Sequence, residues 1–441
     1  MGFKSNYKIK YEKRYSELSK IDINSSQQDS TPNHQQVDKE NRPTQNHQQA
    51  DKERRPSQNQ RQLDKQHRPT QDKQHHQPQQ QYTNPQSTQH DYSQKAQEQI
   101  IQPQEYQQKI INSQQKVQNL GKGLGGLNKE GEIIPGAPGP IGSGNLRDAH
   151  IYVTNFYDNT ISVIDARGRG IISTIAVGEW PEDIYVNQLT KKAYVANRKS
   201  NNVSVIDLMS DTVIKTIEVG DDPHELTINP VTNKIYISNF ASKNISVIDG
   251  NSDSVISTIY MKDSPHGIAA DSNLNKIYVV NDSTNLNIID GVDYTVSMRI
   301  KIGELPTQLN IDNEQKKVFI SNSSSNSISV VDMNTNSITN TIMVGSFPWG
   351  IDINYSTDKI YVTNGNSNTV SVIDRFTYEI LKTIRVGNSP NGVIIDQDRN
   401  YIYVANSFDD TITVIDGYGD SPEDVIKVGN YPSGMDIFYL Y

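Results

Sequence analysis

From about Leu146 onward the chain alternates short β-branched runs with turn residues, and the alternation repeats. A motif of Tyr or Phe, an aliphatic residue, any residue and Asn recurs as YVTN, YVAN, YISN, YVVN, FISN, YVTN and YVAN. Its ring falls at Tyr152, Tyr194, Tyr236, Tyr278, Phe319, Tyr361 and Tyr403, in steps of 42 residues and once 41. The same count is kept by an Asp closing strings such as ISVID (Asp165, Asp207, Asp249, Asp290, Asp332, Asp374, Asp416) and by a Pro (Pro181, Pro223, Pro265, Pro306, Pro348, Pro390, Pro432). Three registers that agree on seven copies define a repeat architecture.

Within the unit spanning residues 265–301, the runs GIAAD, KIYVVN, LNIID and TVSMRIKI are separated by turn signals. This predicts four antiparallel strands, lettered A to D from the inside outward. Four strands in about 42 residues suit a propeller blade, whereas a helical solenoid of that period would carry helix-spaced apolar stripes; a solenoid and a two-sheet sandwich are the alternatives. The repeats begin in strand B (HIYVTN, from His150) and end in strand A (GMDIFYLY, residues 434–441). The expected fold is therefore all-β, a seven-bladed β-propeller whose N- and C-terminal strands share one blade and so close the ring.

The first third reads differently. TPNHQQVDKENRP, TQNHQQADKERRP and SQNQRQLDKQHRP form a degenerate 13-residue repeat with Pro43, Pro56 and Pro69 in register. Each unit offers one aliphatic residue (Val37, Ala50, Leu63), too little apolar surface to offset the entropy of ordering. Residues 1–103 are thus expected to be a disordered Gln/Asn/His/Pro-rich tail: a spacer, a display arm, a weak multivalent binder or a plain solvated linker. Ile110, Ile111, Val117 and Leu120 have near-helical spacing, and a Gly/Pro-rich stretch follows. Residues 104–145 accordingly read as a short helix and linker, with the propeller from 146 to 441.

Charge divides at the same place. Residues 1–147 hold 21 Lys/Arg against 15 Asp/Glu, and residues 148–441 hold 21 against 36. So acidic a body repels phosphate backbones, and no nucleic-acid partner is expected. The absence of cysteine excludes disulfides, thiolate metal sites and Cys nucleophiles. The basic start, MGFKSNYKIKYEKRYSELSK, has no apolar run of signal-peptide length, and no later segment is apolar enough to span a bilayer. Asn6 stands where a myristoylation motif wants Ser or Thr. The expectation is a monomer, cytoplasmic by default, with the cell or spore surface or a non-Sec secretion route as alternatives.

These repeats resemble the YVTN family of β-propeller repeat proteins, found in microbial surface-layer and other exported proteins. The resemblance covers residues 148–441 and implies the fold rather than a function. Family members serve as cell-surface components, ligand binders or cofactor handlers, and related lyases and lactonases use similar rings. Streptogramin lyases use histidine and a metal on one face of such a ring, but their residues cannot be matched one by one to this chain.

In a propeller the D-to-A and B-to-C loops share one face, onto which function is commonly grafted. The residue after each repeating Pro reads Glu182, His224, His266, Thr307, Trp349, Asn391 and Ser433, a varying position between fixed neighbours. That is the pattern of a ligand-binding ring and equally of unconstrained exposed loops. Glu182, His224 and His266 are consecutive around the ring, with Asp183 and Glu225 beside them, so a divalent metal or an acid/base pair is one reading and solvated side chains the other. Trp180 and Trp349 flank Pro181 and Pro348 and would stack on a ligand or cover the channel mouth. The repeating Asn and Asp residues read as turn formers. The expected function is a binding or surface-interaction scaffold for a protein or small molecule. A metal-assisted lyase or lactonase-like enzyme and a host-directed surface or toxin component are the alternatives.

Overall fold

A computed structural model describes residues 147–440, together with two short strands, Gly125–Leu127 and Ile133–Pro138, that pair as an antiparallel hairpin. The 13-residue repeats, the short helix and the Leu146 boundary lie outside the described residues. The hairpin lies within the Gly/Pro-rich part of the stretch read as a short helix and linker.

The repeats form seven four-stranded antiparallel sheets, each in the order A-B-C-D. The first continuous blade comprises Pro181–Asn187, Lys192–Asn197, Asn202–Asp207 and Thr212–Glu218. The last sheet is assembled from both ends of the repeats, with inner strand Pro432–Tyr439 beside Ala149–Asn155, Thr160–Asp165 and Ile171–Ala176. Tyr152 pairs with Asp436 and His150 with Phe438. Every inner strand starts at its Pro, two residues earlier than the sequence suggested for the last one, because a strand's first position tolerates a missing N–H.

Apolar side chains fill the gaps between blades. Tyr152, Ile161 and Val163 of the shared blade meet Ile184, Val186, Ala193 and Val195 of the next. On its other side Ala149, Ile151 and Val153 meet Tyr403, Ile412 and Val414. Since each core belongs to two blades, no blade can bury its faces alone.

The repeating Asn residues prove to be local ties, as their recurrence implied. Asn155 Nδ2 donates to Thr160 Oγ1 and Ser162 Oγ, and Asn197, Asn239, Asn322, Asn364 and Asn406 bond in the same way. The strand-C Asp residues accept turn N–H groups, as Asp207 does from Met209 and Ser210.

The ring aromatics are not equivalent. Tyr152, Tyr194 and Tyr361 donate across the blade boundary to Asp211, Asp253 and Asp420 at 2.6–2.8 Å. Among the described residues the hydroxyls of Tyr236 and Tyr278 are buried without a hydrogen-bond partner, and the next repeat has Phe319 at this position. A buried hydroxyl left unmet costs about 1–3 kcal/mol. Urea denaturation should therefore find Tyr236→Phe and Tyr278→Phe neutral or more stable by up to about 1 kcal/mol. Tyr361→Phe, which strips Asp420 of a donor, should lose about 1–3 kcal/mol. Equal losses at all three would show that the hydroxyls do not differ as described.

Candidate functional site

The seven varying residues after the prolines come together. They are the second residues of the inner strands, not loop residues as expected, and all but Asn391 are buried. The strand places them shoulder to shoulder around one mouth of the central channel. Asn391 Nδ2 donates to Ser433 Oγ at 3.1 Å, and Ser433 Oγ donates to Glu182 Oε1 at 2.9 Å. Arg198 then bridges: its Nη1 donates to Glu182 Oε2 at 3.0 Å and its Nε to Asp222 Oδ1 at 2.8 Å. Asp222 Oδ2 lies 3.3 Å from His224 Nε2. The rings of His224 and His266 meet edge to face at 4.8 Å, and His266 Nδ1 lies 2.9 Å from the carbonyl oxygen of Thr307. His266 also packs against Trp349 at 5.6 Å, and Thr307 Oγ1 shares a hydrogen bond with Ser323.

This geometry bears on the metal reading of Glu182, His224 and His266. Among the described residues, no three His, Asp or Glu side chains are grouped to hold a metal ion. A guanidinium stands between the carboxylate and the first imidazole, and a fixed cation there repels a second. Burial lowers the pKa of His224, and Arg198 lowers it further against the pull of Asp222. Burial lowers His266 well below the ordinary value, followed by its neighbours His224 and Arg198. Both imidazoles are thus neutral at pH 7. Burial alone would raise Asp222, but hydrogen bonds from His224 and Arg198 outweigh it and hold the carboxyl below its usual range.

Arg198 and Asp222 were not anticipated, although the sequence holds a signal for them. The residues after the repeating Asn (Phe156, Arg198, Phe240, Asp282, Ser323, Gly365, Ser407) and before the repeating Pro (Trp180, Asp222, Ser264, Leu305, Phe347, Ser389, Tyr431) vary just as the chosen position does. Six of the seven pre-proline residues have left-handed backbone, from Leu305 at φ 47° to Trp180 at 60°. Five of their N–H groups are clamped by B-to-C loop side chains: Trp180 by Asn159, Asp222 by Asn201, Phe347 by Asn326, Ser389 by Asn368 and Tyr431 by Asp410. Elsewhere in the ring the left-handed turn positions are mostly Asn, Asp or Lys, whereas four of these six are Trp, Leu, Phe and Tyr, the others being Asp222 and Ser389. Two aromatic clusters result. Trp180 stacks on Phe156 at 5.4 Å beside Tyr157, Tyr431 and Phe408. Phe240 stacks on His224 at 5.0 Å, and Phe347 on Trp349 at 5.9 Å.

Below the mouth, the third residue of four inner strands is glycine. A Cβ at Gly267, Gly350 or Gly392 would lie 2.2–2.4 Å from the carbonyl oxygen of the next strand's ring residue, so glycine lets the inner strands close up. The other three third positions carry Asp183, Glu225 and Gln308, with Asp352 and Asp436 two residues further along their own inner strands. Burial pushes Asp352 and Asp436 up to about 7, and Asp436 adds to the rise of Asp352. Burial also raises Asp183 and Glu225.

A protein so built is a seven-bladed propeller with one elaborated channel mouth. The chain belongs to the YNCE-like beta-propeller family, whose model matches residues 129–231 and 270–400, more than half its length. Three solved structures are similar in fold. Hydrazine synthase of Kuenenia stuttgartiensis is 18% identical, with a TM-score of 0.55 over 60% of this chain and 91% of its own. A functionally unknown protein from Desulfotomaculum acetoxidans is 15% identical, with a TM-score of 0.60 over 66% and 99%. Dihydro-heme d1 dehydrogenase NirN, in complex with DHE, is 13% identical, with a TM-score of 0.51 over 65% and 74%. No curated protein matches the chain.

The channel carboxyls give a pH prediction. A carboxyl whose folded pKa is near 7 and unfolded pKa near 3.8 contributes stability that is present below pH 4 and lost as pH rises to 7. In Asp352→Asn the Oδ1 retains its donors, Asn310 Nδ2 and the Ile353 amide. The variant should be more stable than wild type by about 1–3 kcal/mol at pH 8 and nearly equal at pH 4.5. Thermal melts at the two pH values check this, and an equal effect at both would contradict a raised carboxyl.

Proposed function

We propose that this propeller is a binding scaffold whose ligand or partner site is the channel mouth ringed by Glu182, His224, His266, Thr307, Trp349, Asn391 and Ser433. The observation that carries the proposal is the strained, clamped display of bulky side chains before the inner-strand prolines. Left-handed backbone costs about 1 kcal/mol or more for a residue with a Cβ, and such strain gathers at sites where geometry matters. Aromatic walls around a few fixed polar groups are the usual composition of a small-molecule site. Attachment at a cell surface through the tail is compatible with this role.

A lyase or lactonase-like enzyme is the second reading, favoured by the Asp222–His224 pair, in which an ionised carboxylate orients a neutral imidazole. It would require turnover that disappears in His224→Asn.

A thermal-shift screen of small polar metabolites tests the binding reading. Compounds that stabilise the full chain should lose most of that effect in Trp180→Ala/Tyr431→Ala and keep it in Tyr355→Ala, a control outside the mouth clusters. At a hundred times Kd a ligand adds about 2.7 kcal/mol, enough for a clear shift. Stabilisation that survives the mouth variant and disappears in the control would place the site elsewhere.

A further inference from the structure

The protonation of the two mouth histidines follows from what each faces. A carbonyl oxygen accepts only, so His266 Nδ1 carries the proton toward Thr307 and its Nε2 is left with a bare lone pair. Asp222 is ionised and accepts only, so His224 Nε2 carries the proton and its Nδ1 is bare. Neither bare nitrogen has a hydrogen-bond partner among the described residues. Nor is either sealed from solvent in the manner of the orphaned His150 Nδ1. Both side chains are nonetheless more than nine-tenths buried. Two adjacent, nearly enclosed acceptors of this kind are satisfied only by donors brought from outside.

On the reading of the mouth as a binding site, we propose that it takes an uncharged, multiply hydroxylated ligand of the sugar or cyclitol class, whose hydroxyls donate to His224 Nδ1 and His266 Nε2. The charges around the pair decide against ionic ligands. Arg198 lies within hydrogen-bond reach of Glu182 and Asp222, so a cationic ligand meets a fixed cation whose carboxylates are already engaged. An anion would face bare lone pairs and those same two carboxylates. A hydroxyl supplies the missing donor and brings no charge to desolvate. Adjacent hydroxyls on one ring suit two imidazoles 4.8 Å apart, and the C–H face of such a ring suits the aromatic walls of Phe240 and Trp349. The neutral imidazoles keep this acceptor character down to a pH below the ordinary histidine range. Asp222, Glu182 and Arg198 are the charged groups facing them.

Calorimetric titration of the full chain tests the proposal. The neutral probes are methyl β-glucoside, methyl α-mannoside, N-acetylglucosamine, cellobiose, maltose and myo-inositol; the charged counterparts are glucosamine and glucuronate. At pH 7 at least one neutral probe should bind ten times or more tightly than either charged one. That affinity should fall about tenfold or more in His224→Phe and in His266→Phe, the loss expected for one hydrogen bond of about 1.4 kcal/mol. In wild type it should fall as pH drops well below 6.5, which needs no variant to fold. If a charged probe binds best and is weakened by Trp180→Ala/Tyr431→Ala, the mouth stands as the site and the ligand class is overturned. If no neutral probe binds, the ligand class is likewise overturned. If a neutral probe binds unaffected by the histidine and mouth variants alike, both readings are overturned.

Discussion

The structure depends on the pairing of Pro432–Tyr439 with Ala149–Asn155. Every apolar cluster in the ring lies between two blades, so each sheet's burial is completed by its neighbour. A ring with one open joint would expose two such faces and an inner-strand edge. The closing strand also completes the mouth, because it carries Ser433, whose hydroxyl links Asn391 to Glu182. Closure is therefore a condition for the site as well as for the fold.

The scaffold and the site divide the repeat between them. Fixed residues make bonds within a blade or to its neighbour, as the repeating Asn does with the hydroxyl or amide five residues on. Those bonds free the residues around each Pro to differ from blade to blade. The mouth thereby acquires a polar arc on one side, from Asn391 through Arg198 to Asp222, and an aromatic–imidazole arc on the other, from Phe240 to Trp349. The similar solved structures share the fold at 13–18% identity.

Most of the fold was legible in the sequence because repetition reports itself: the Tyr, Asp and Pro registers fix strand order, and their phase fixes closure. The ring of seven positions was legible for the same reason. Their environment was not. That Arg198 stands between Glu182 and His224 depends on how a B-to-C loop of one blade leans toward the next, over separations of 16 and 24 residues in sequence. From sequence alone Glu182, His224 and His266 stand next to one another around the ring; the contact adds one guanidinium facing two carboxylates beside the imidazoles. Counting the inner-strand prolines as loop residues had a similar origin, since proline signals a turn until the strand's first position is seen to need no donor.

Native-state hydrogen exchange tests closure most directly. If the shared blade is as firmly joined as the continuous ones, the slowest amides of residues 149–155 and 432–439 should exchange only through global unfolding. Their opening free energy should then match that of the inner strands Pro265–Asp271 and Pro306–Asp312, within the roughly 5–15 kcal/mol usual for a domain. Faster exchange confined to the shared blade, with the other six still protected, would mean that the ring opens there on its own and that closure does not hold the structure together.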